Sequence, residues 1–119
     1  MPVARARSIS TSPAFRSKLE KRAWERHYEW LPDHEDMLAM YYEPFVLHLT
    51  GGNYTPDFVV VYNDGRMIII EVKGSWGAYK SGRSSKRNLK QAAVEFAWLA
   101  EFYALLPGGS GWDMQQFGE

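Results

Sequence analysis

The chain has 119 residues, is 45% hydrophobic and 15% aromatic, and carries fourteen basic and fourteen acidic side chains with no cysteine. That length fits one domain with a substantial core, while the composition excludes a disulfide framework and a thiolate zinc site, and no apolar run reaches membrane-spanning length. The charges balance but are unevenly placed. Six basic residues lie in 1–22 and five in 74–90, eleven of the fourteen, while acids gather in 25–43; this suits either a polyanion-binding surface or two solvated faces.

Residues 1–12 are rich in Arg and Ser. A transit peptide has this composition, but so short a stretch leading into a helix reads as a flexible basic arm, followed by a single domain over 13–119. Lack of cysteine suits a reducing, cytoplasmic setting. A helix is expected over 13–31, with Ser12 as its cap and Pro13 at its first position. Phe15, Leu19, Ala23, His27 and Leu31 recur every four residues as its buried stripe. Polar residues 32–36 connect it to one or two strands in 37–49, bent at Pro44. Gly51-Gly52-Asn53 forms a turn, and residues 55–62 and 66–73 form a hairpin about Asn63-Asp64-Gly65.

A glycine-rich loop with a basic tip follows. Ser84 or Ser85 then caps a second helix reaching about residue 98, with Leu89, Ala92, Ala93 and Phe96 on its apolar face and Lys86, Arg87 and Lys90 on another. Residues 101–107 read as a strand, and WDMQQF (112–117) as a short edge after a glycine-rich turn. The order helix, three antiparallel strands, helix, strand predicts an α/β fold with a mixed central sheet. The three histidines show no ligand spacing: His27 falls on the apolar stripe, and Asp33-His34-Glu35-Asp36 reads as a solvated turn.

The hairpin carries charge where a hairpin needs none. Asp57 follows Pro56 at the start of one strand, while Glu71 and Lys73 end the other, two apart and so on one face. Pairing about Asp64 sets Asp57 opposite Glu71, with Cβ atoms about 4.5–5.5 Å apart. Two carboxylates so close repel unless positive charge lies between them. Lys73 supplies part of it; a divalent cation that takes hard oxygen ligands, Mg²⁺ or Mn²⁺, supplies it better. The alternative is a strand-capping Asp and a surface Glu–Lys pair, which an isolated E-x-K usually is. The proline, the strand-length spacer and the apolar strand together are more specific.

These residues resemble a known superfamily. Pro56-Asp57 with Glu71-Val72-Lys73 is similar to the PD-(D/E)XK nucleases, whose core has the element order above. More closely, AFRSKLE (14–20), YTPDF (54–58) and EVKGSW (71–76) resemble the endonuclease I family of short-tailed bacteriophages, which resolve four-way DNA junctions. The resemblance spans about residues 13–100 and leaves the last twenty unmatched. It implies that Glu20, from the first helix, joins Asp57, Glu71 and Lys73 as a catalytic residue. It implies a metal held by Asp57, Glu71 and the Val72 carbonyl, with Glu20 and Asp57 sharing a second, and Lys73 orienting the attacking water.

Read from the residues alone, Glu20 serves equally well as a solvated partner of Arg16. Candidate phosphate contacts are Arg5, Arg7, Arg16, Lys18, Lys80, Arg83, Lys86, Arg87 and Lys90. Trp76 and Tyr79 would stack on bases or join the core. The resemblance further implies branched DNA as partner, Mg²⁺ with Mn²⁺ as substitute, a homodimer with exchanged elements, and a phage protein in a host cytoplasm or a bacterial one. Two alternatives stand beside it: a general phage or mobile-element endonuclease of the same superfamily, and an inactive DNA-binding protein on its fold.

Overall fold

The computed structural model describes residues 8–9, 13–74 and 80–118, with backbone alone for 8–9 and 80–85. The elements are β1 (Ser8–Ile9), α1 (Lys18–Glu25), β2 (Met37–Tyr42), β3 (Leu47–Leu49), β4 (Gly52–Tyr54), β5 (Phe58–Tyr62), β6 (Met67–Val72), α2 (Lys80–Glu95), β7 (Glu101–Gly108) and β8 (Gly111–Phe117). Six strands form one sheet in the order β1-β2-β5-β6-β7-β8, and β3 pairs with β4 separately. β5 runs antiparallel to β2 and β6, β6 is parallel to β7 across the α2 connection, and β8 returns antiparallel on β7. The mixed α/β class is as expected; β1 ahead of the first helix and the separate β3–β4 pair add to the expected order.

β5 and β6 lie inside this sheet, which is why FVVVY and MIIIEV are continuous apolar runs rather than alternating ones. Phe58, Val60, Ile68, Ile70 and Val72 face Ala23 and Trp24 of α1. Val59, Ile69, Phe102 and Ala104 face Leu89, Ala92 and Ala93 of α2. The sheet is therefore buried on both sides. Phe58 sits amid aromatic neighbours, with ring centroids 5.5 Å from Trp24 and 6.1 Å from Trp30.

The hairpin forms as predicted. The Gly65 N–H donates to the Tyr62 carbonyl, the Arg66 N–H donates to the Asp64 carboxylate, and Gly65 takes φ +90°, where a side chain would be strained. Phe58 pairs with Ile70, so one step further along the predicted register lie Asp57 and Glu71.

Several boundaries differ from expectation. The first helix starts at Lys18, not Pro13, because Ser17 caps it: its hydroxyl accepts the Glu20 N–H at 3.1 Å. It ends at Glu25, and a single 3₁₀ turn, His27–Glu29, follows. The second helix begins by Lys80 and ends at Glu95, with the chain turning through 96–99 so that β7 can start at Glu101. Gly52 and Asn53 already pair within β4, leaving Thr50-Gly51 as the turn. Ser8–Ile9, expected in a flexible arm, pairs in parallel with Ala39–Met40. The C-terminal edge is an ordered seven-residue strand, and beyond it Gly118, at φ +80°, passes so close to Ala93 that an added Cβ would lie 2.7 Å from the Ala93 Cβ. Among the described residues no helix is long and apolar enough to cross a membrane.

Phe58 is fully buried between α1 and the hairpin. Phe58→Ala should cost about 3–5 kcal/mol, read as a lower denaturant midpoint at unchanged slope. A loss under about 1 kcal/mol would contradict this core.

Candidate active site

Among the described residues three charged side chains are buried, and they are Glu20, Asp57 and Glu71, at 8%, 9% and 7% exposure. All three line one cleft of about 320 Å³ with Lys73, Val72, Arg16, Glu43, Asn53, Tyr54, Thr55 and Asn88. Its position follows from the strand ends. Asp57 precedes β5, Glu71 and Val72 close β6, and both meet at the same end of the sheet. There α1 contributes Glu20 from one face, while β4 and α2 contribute Tyr54 and Asn88 from the other. The four residues implied by the motif resemblance are thus together within a single chain.

Each acid is held by a donor. Asp57 Oδ2 accepts the Val72 N–H at 2.8 Å. Glu71 Oε1 accepts the hydroxyl of buried Tyr54 at 2.9 Å, and Glu71 Oε2 stands 3.7 Å from Lys73 Nζ. Glu20 Oε1 accepts the Tyr42 hydroxyl at 2.8 Å and the Arg16 N–H at 3.1 Å. Neither tyrosine was expected as a site residue: Tyr42 sits in an apolar strand, and Tyr54, the first residue of YTPDF, reads as the residue after a turn. Glu43 was missed as well. Its carboxylate pairs with Arg16 Nε at 3.1 Å, and its N–H donates to the Asp57 carbonyl at 2.9 Å. Arg16 therefore meets Glu20 through its main chain and Glu43 through its side chain.

The electrostatics are unbalanced. Four carboxylates line the cleft against two cations, Arg16 and Lys73. Desolvation, with the Glu71 charge next, pushes Asp57 up to about 8 against the lowering effect of the Val72 N–H. Desolvation likewise pushes Glu71 up to about 7, opposed by the Tyr54 hydroxyl and Lys73. Burial holds the Tyr54 hydroxyl well above its ordinary range, so it stays a donor.

This donor set is all hard oxygen, under-neutralised and set in a cleft, which suits Mg²⁺ or Mn²⁺. Among the described residues no three His, Asp or Glu side chains stand at ligand spacing around one point. The fit is therefore to Asp57 and Glu71 with main-chain and water oxygens, in keeping with an ion that retains much of its water.

The basic candidates divide. Arg16 is in the cleft, and Lys18 is exposed on the first turn of α1. Arg87 and Lys90 are exposed and Lys86 is half-buried on α2, the helix that sends Asn88 into the cleft. Lys80 and Arg83 lie on the same helix. Arg5, Arg7, Trp76 and Tyr79 lie outside the described residues.

Asp57 and Glu71 bind protons more tightly folded than unfolded. The stability they allow is full below the ordinary carboxylate range, about pH 4, and is lost as pH rises through about 7 and about 8. In metal-free buffer the urea midpoint should fall across this window, Asp57→Asn should flatten the fall, and Mg²⁺ should restore stability most at the alkaline end. A midpoint that stays level or rises for the wild type would refute the charge imbalance. Comparison with family models, curated proteins and solved structures finds no match for this chain, so its site is read from its own geometry.

Proposed function

We propose that the protein is a metal-dependent endonuclease that hydrolyses DNA phosphodiester bonds, with branched DNA, four-way junctions foremost, as its substrate. One observation carries the reading: the three buried acids share a single cleft with Lys73 at the sheet end. Burying like charges opposes folding, and such an arrangement is characteristic of functional sites. The resemblance of Pro56-Asp57 and Glu71-Val72-Lys73 to the PD-(D/E)XK nucleases, and of the wider motifs to phage endonuclease I, names the reaction class.

In this reading Asp57 and Glu71 with the Val72 carbonyl would hold the ion that the cleft fits, and by the resemblance Glu20 with Asp57 would hold a second. When bound, the ions supply Lewis-acid stabilisation of charge at the scissile phosphate. Lys73, tethered near Glu71 and partly open to the cleft, orients the attacking water and offsets charge on the phosphate. Tyr54 and Tyr42 fix the carboxylates of Glu71 and Glu20, so the oxygens are arranged before substrate arrives. Exposed Lys18, Arg87 and Lys90 position the phosphate backbone without reading sequence. A two-fold homodimer supplies the two opposed nicks that a two-fold symmetric junction requires.

The test uses a labelled four-way junction and its linear duplex, with Mg²⁺ or EDTA, for wild type and Lys73→Ala. Paired nicks in the junction alone are expected, absent in EDTA and reduced about 10²–10³-fold in the variant, while junction binding persists. Equal cutting of both DNAs would replace junction resolution by general endonuclease activity. Binding without cutting under every divalent ion tried would overturn the enzymatic reading.

A further inference from the structure

Glu43 is in an unusual state. Its φ is +47°, in the left-handed region, and the next residue is Pro44. A residue before proline is driven toward extended backbone, and a non-glycine side chain is disfavoured at positive φ. The conformation is held by the Glu43 N–H donating to the Asp57 carbonyl at 2.9 Å. Strain of this kind persists where surroundings over-determine it, and it concentrates at functional sites. Here it turns a carboxylate into the cleft, onto Arg16.

Arg16 is the complement. Its side chain is 74% exposed, against 19% for Glu43, and the contact is made through Nε at 3.1 Å. Its own N–H is bound to both Glu20 Oε1 and the Tyr42 hydroxyl, at 3.1 and 3.0 Å. The Arg16 main chain is therefore fixed at the cleft mouth beside a proposed catalytic acid, and its exposed guanidinium meets Glu43 there. A guanidinium fork fits carboxylate and phosphate oxygens alike. An ion pair with one partner this exposed is weak, and an arriving phosphate can displace it.

We infer that Arg16 is the seat for a phosphate group at the mouth of the cleft, and that Glu43 occupies this seat as a resident phosphate mimic in the free protein. The phosphate is one of a nucleic-acid backbone or a free phosphate ion; the first source rests on the proposed function. Glu43 lowers affinity for any single phosphate. A ligand that makes further contacts along the basic helix overcomes this competition, and an isolated anion does so poorly.

The experiment measures binding of a fluorescent four-way junction and a linear duplex in EDTA, where metal plays no part, for wild type, Glu43→Gln, Arg16→Gln and the double variant. Inorganic phosphate is titrated separately against each protein. Because Arg16 is exposed, and Gln matches Glu43 in shape, all four should keep their fold, checked by circular dichroism. Glu43→Gln should tighten DNA binding about two- to fivefold, the scale of an exposed ion pair. Arg16→Gln should weaken binding and lower the salt slope by about one.

The deciding result is the double variant, in which the Glu43→Gln gain should vanish. A gain that survives without Arg16 would mean that Glu43 merely repels polyanions, and would overturn the inference, as would no gain at all. If no protein binds DNA, the nucleic-acid reading fails. Phosphate binding strengthened by Glu43→Gln and abolished by Arg16→Gln would then still establish the seat, and its absence would remove it.

Discussion

The site depends on one hydrogen bond, from the Val72 N–H to the Asp57 carboxylate. The antiparallel ladder between β5 and β6 runs to Phe58 and Ile70. Beyond it the Asp57 side chain, not a backbone carbonyl, receives the donor of the next strand. Main-chain donors must be satisfied when buried, so the substitution keeps the hairpin closed while placing an acid inside it. Glu71 immediately precedes Val72 and so stands beside that acid. The register that builds the hairpin is the same register that juxtaposes the carboxylates; a one-residue slip of either strand would turn its acid to the other face and part the pair.

The core bears the cost of this arrangement. Asp57 and Glu71 are raised toward neutrality chiefly because burial disfavours their charged forms. One ammonium, Lys73, stands 3.7 Å from Glu71, too little to balance the set. The stabilising counterweight lies elsewhere, in a sheet covered on both faces by α1 and α2 and filled with isoleucine, valine and aromatic rings. The apolar monotony of β5 and β6 and the polarity of their ends are two aspects of one design. The middle of the hairpin supplies stability, and its ends forgo some of it.

Which features were legible follows from the range of the interactions behind them. The hairpin was readable because Asn63-Asp64-Gly65 sets turn and register locally, and with them the meeting of Asp57 and Glu71. The edge strand 112–117 was readable from the glycines before it. The helix starts after Ser17 and not Ser12, and Ser17-Lys18-Leu19-Glu20 has the spacing of a capping box; the four-residue apolar repeat extends the expected helix back to Phe15, which instead packs on Trp24 and Tyr42 from the segment before the helix. Glu20 came from motif resemblance, since nothing local distinguishes it from a solvated glutamate. Tyr42 and Glu43 carry no signal, and Tyr54, though the first residue of YTPDF, carries none for its role. Their roles arise from contacts 22, 17 and 27 residues away in the chain, to Glu20, Glu71 and Arg16, and no period or motif encodes those.

The same long-range contacts bear on how a dimer would be built. An exchange of elements is needed for chemistry when one chain lacks a group that its partner supplies. Here Glu20 lies in the cleft with Asp57, Glu71 and Lys73 of its own chain, locked there by Tyr42 and by the Arg16 main chain. One chain can thus assemble these four residues. Under the proposed function a second copy would supply a second cleft at the spacing and two-fold relation that paired nicks demand, whether each Glu20 serves its own chain or its partner. Disrupting the dimer distinguishes the two arrangements: clefts complete within one chain would lose only the pairing of the cuts, whereas exchanged clefts would lose both cuts together.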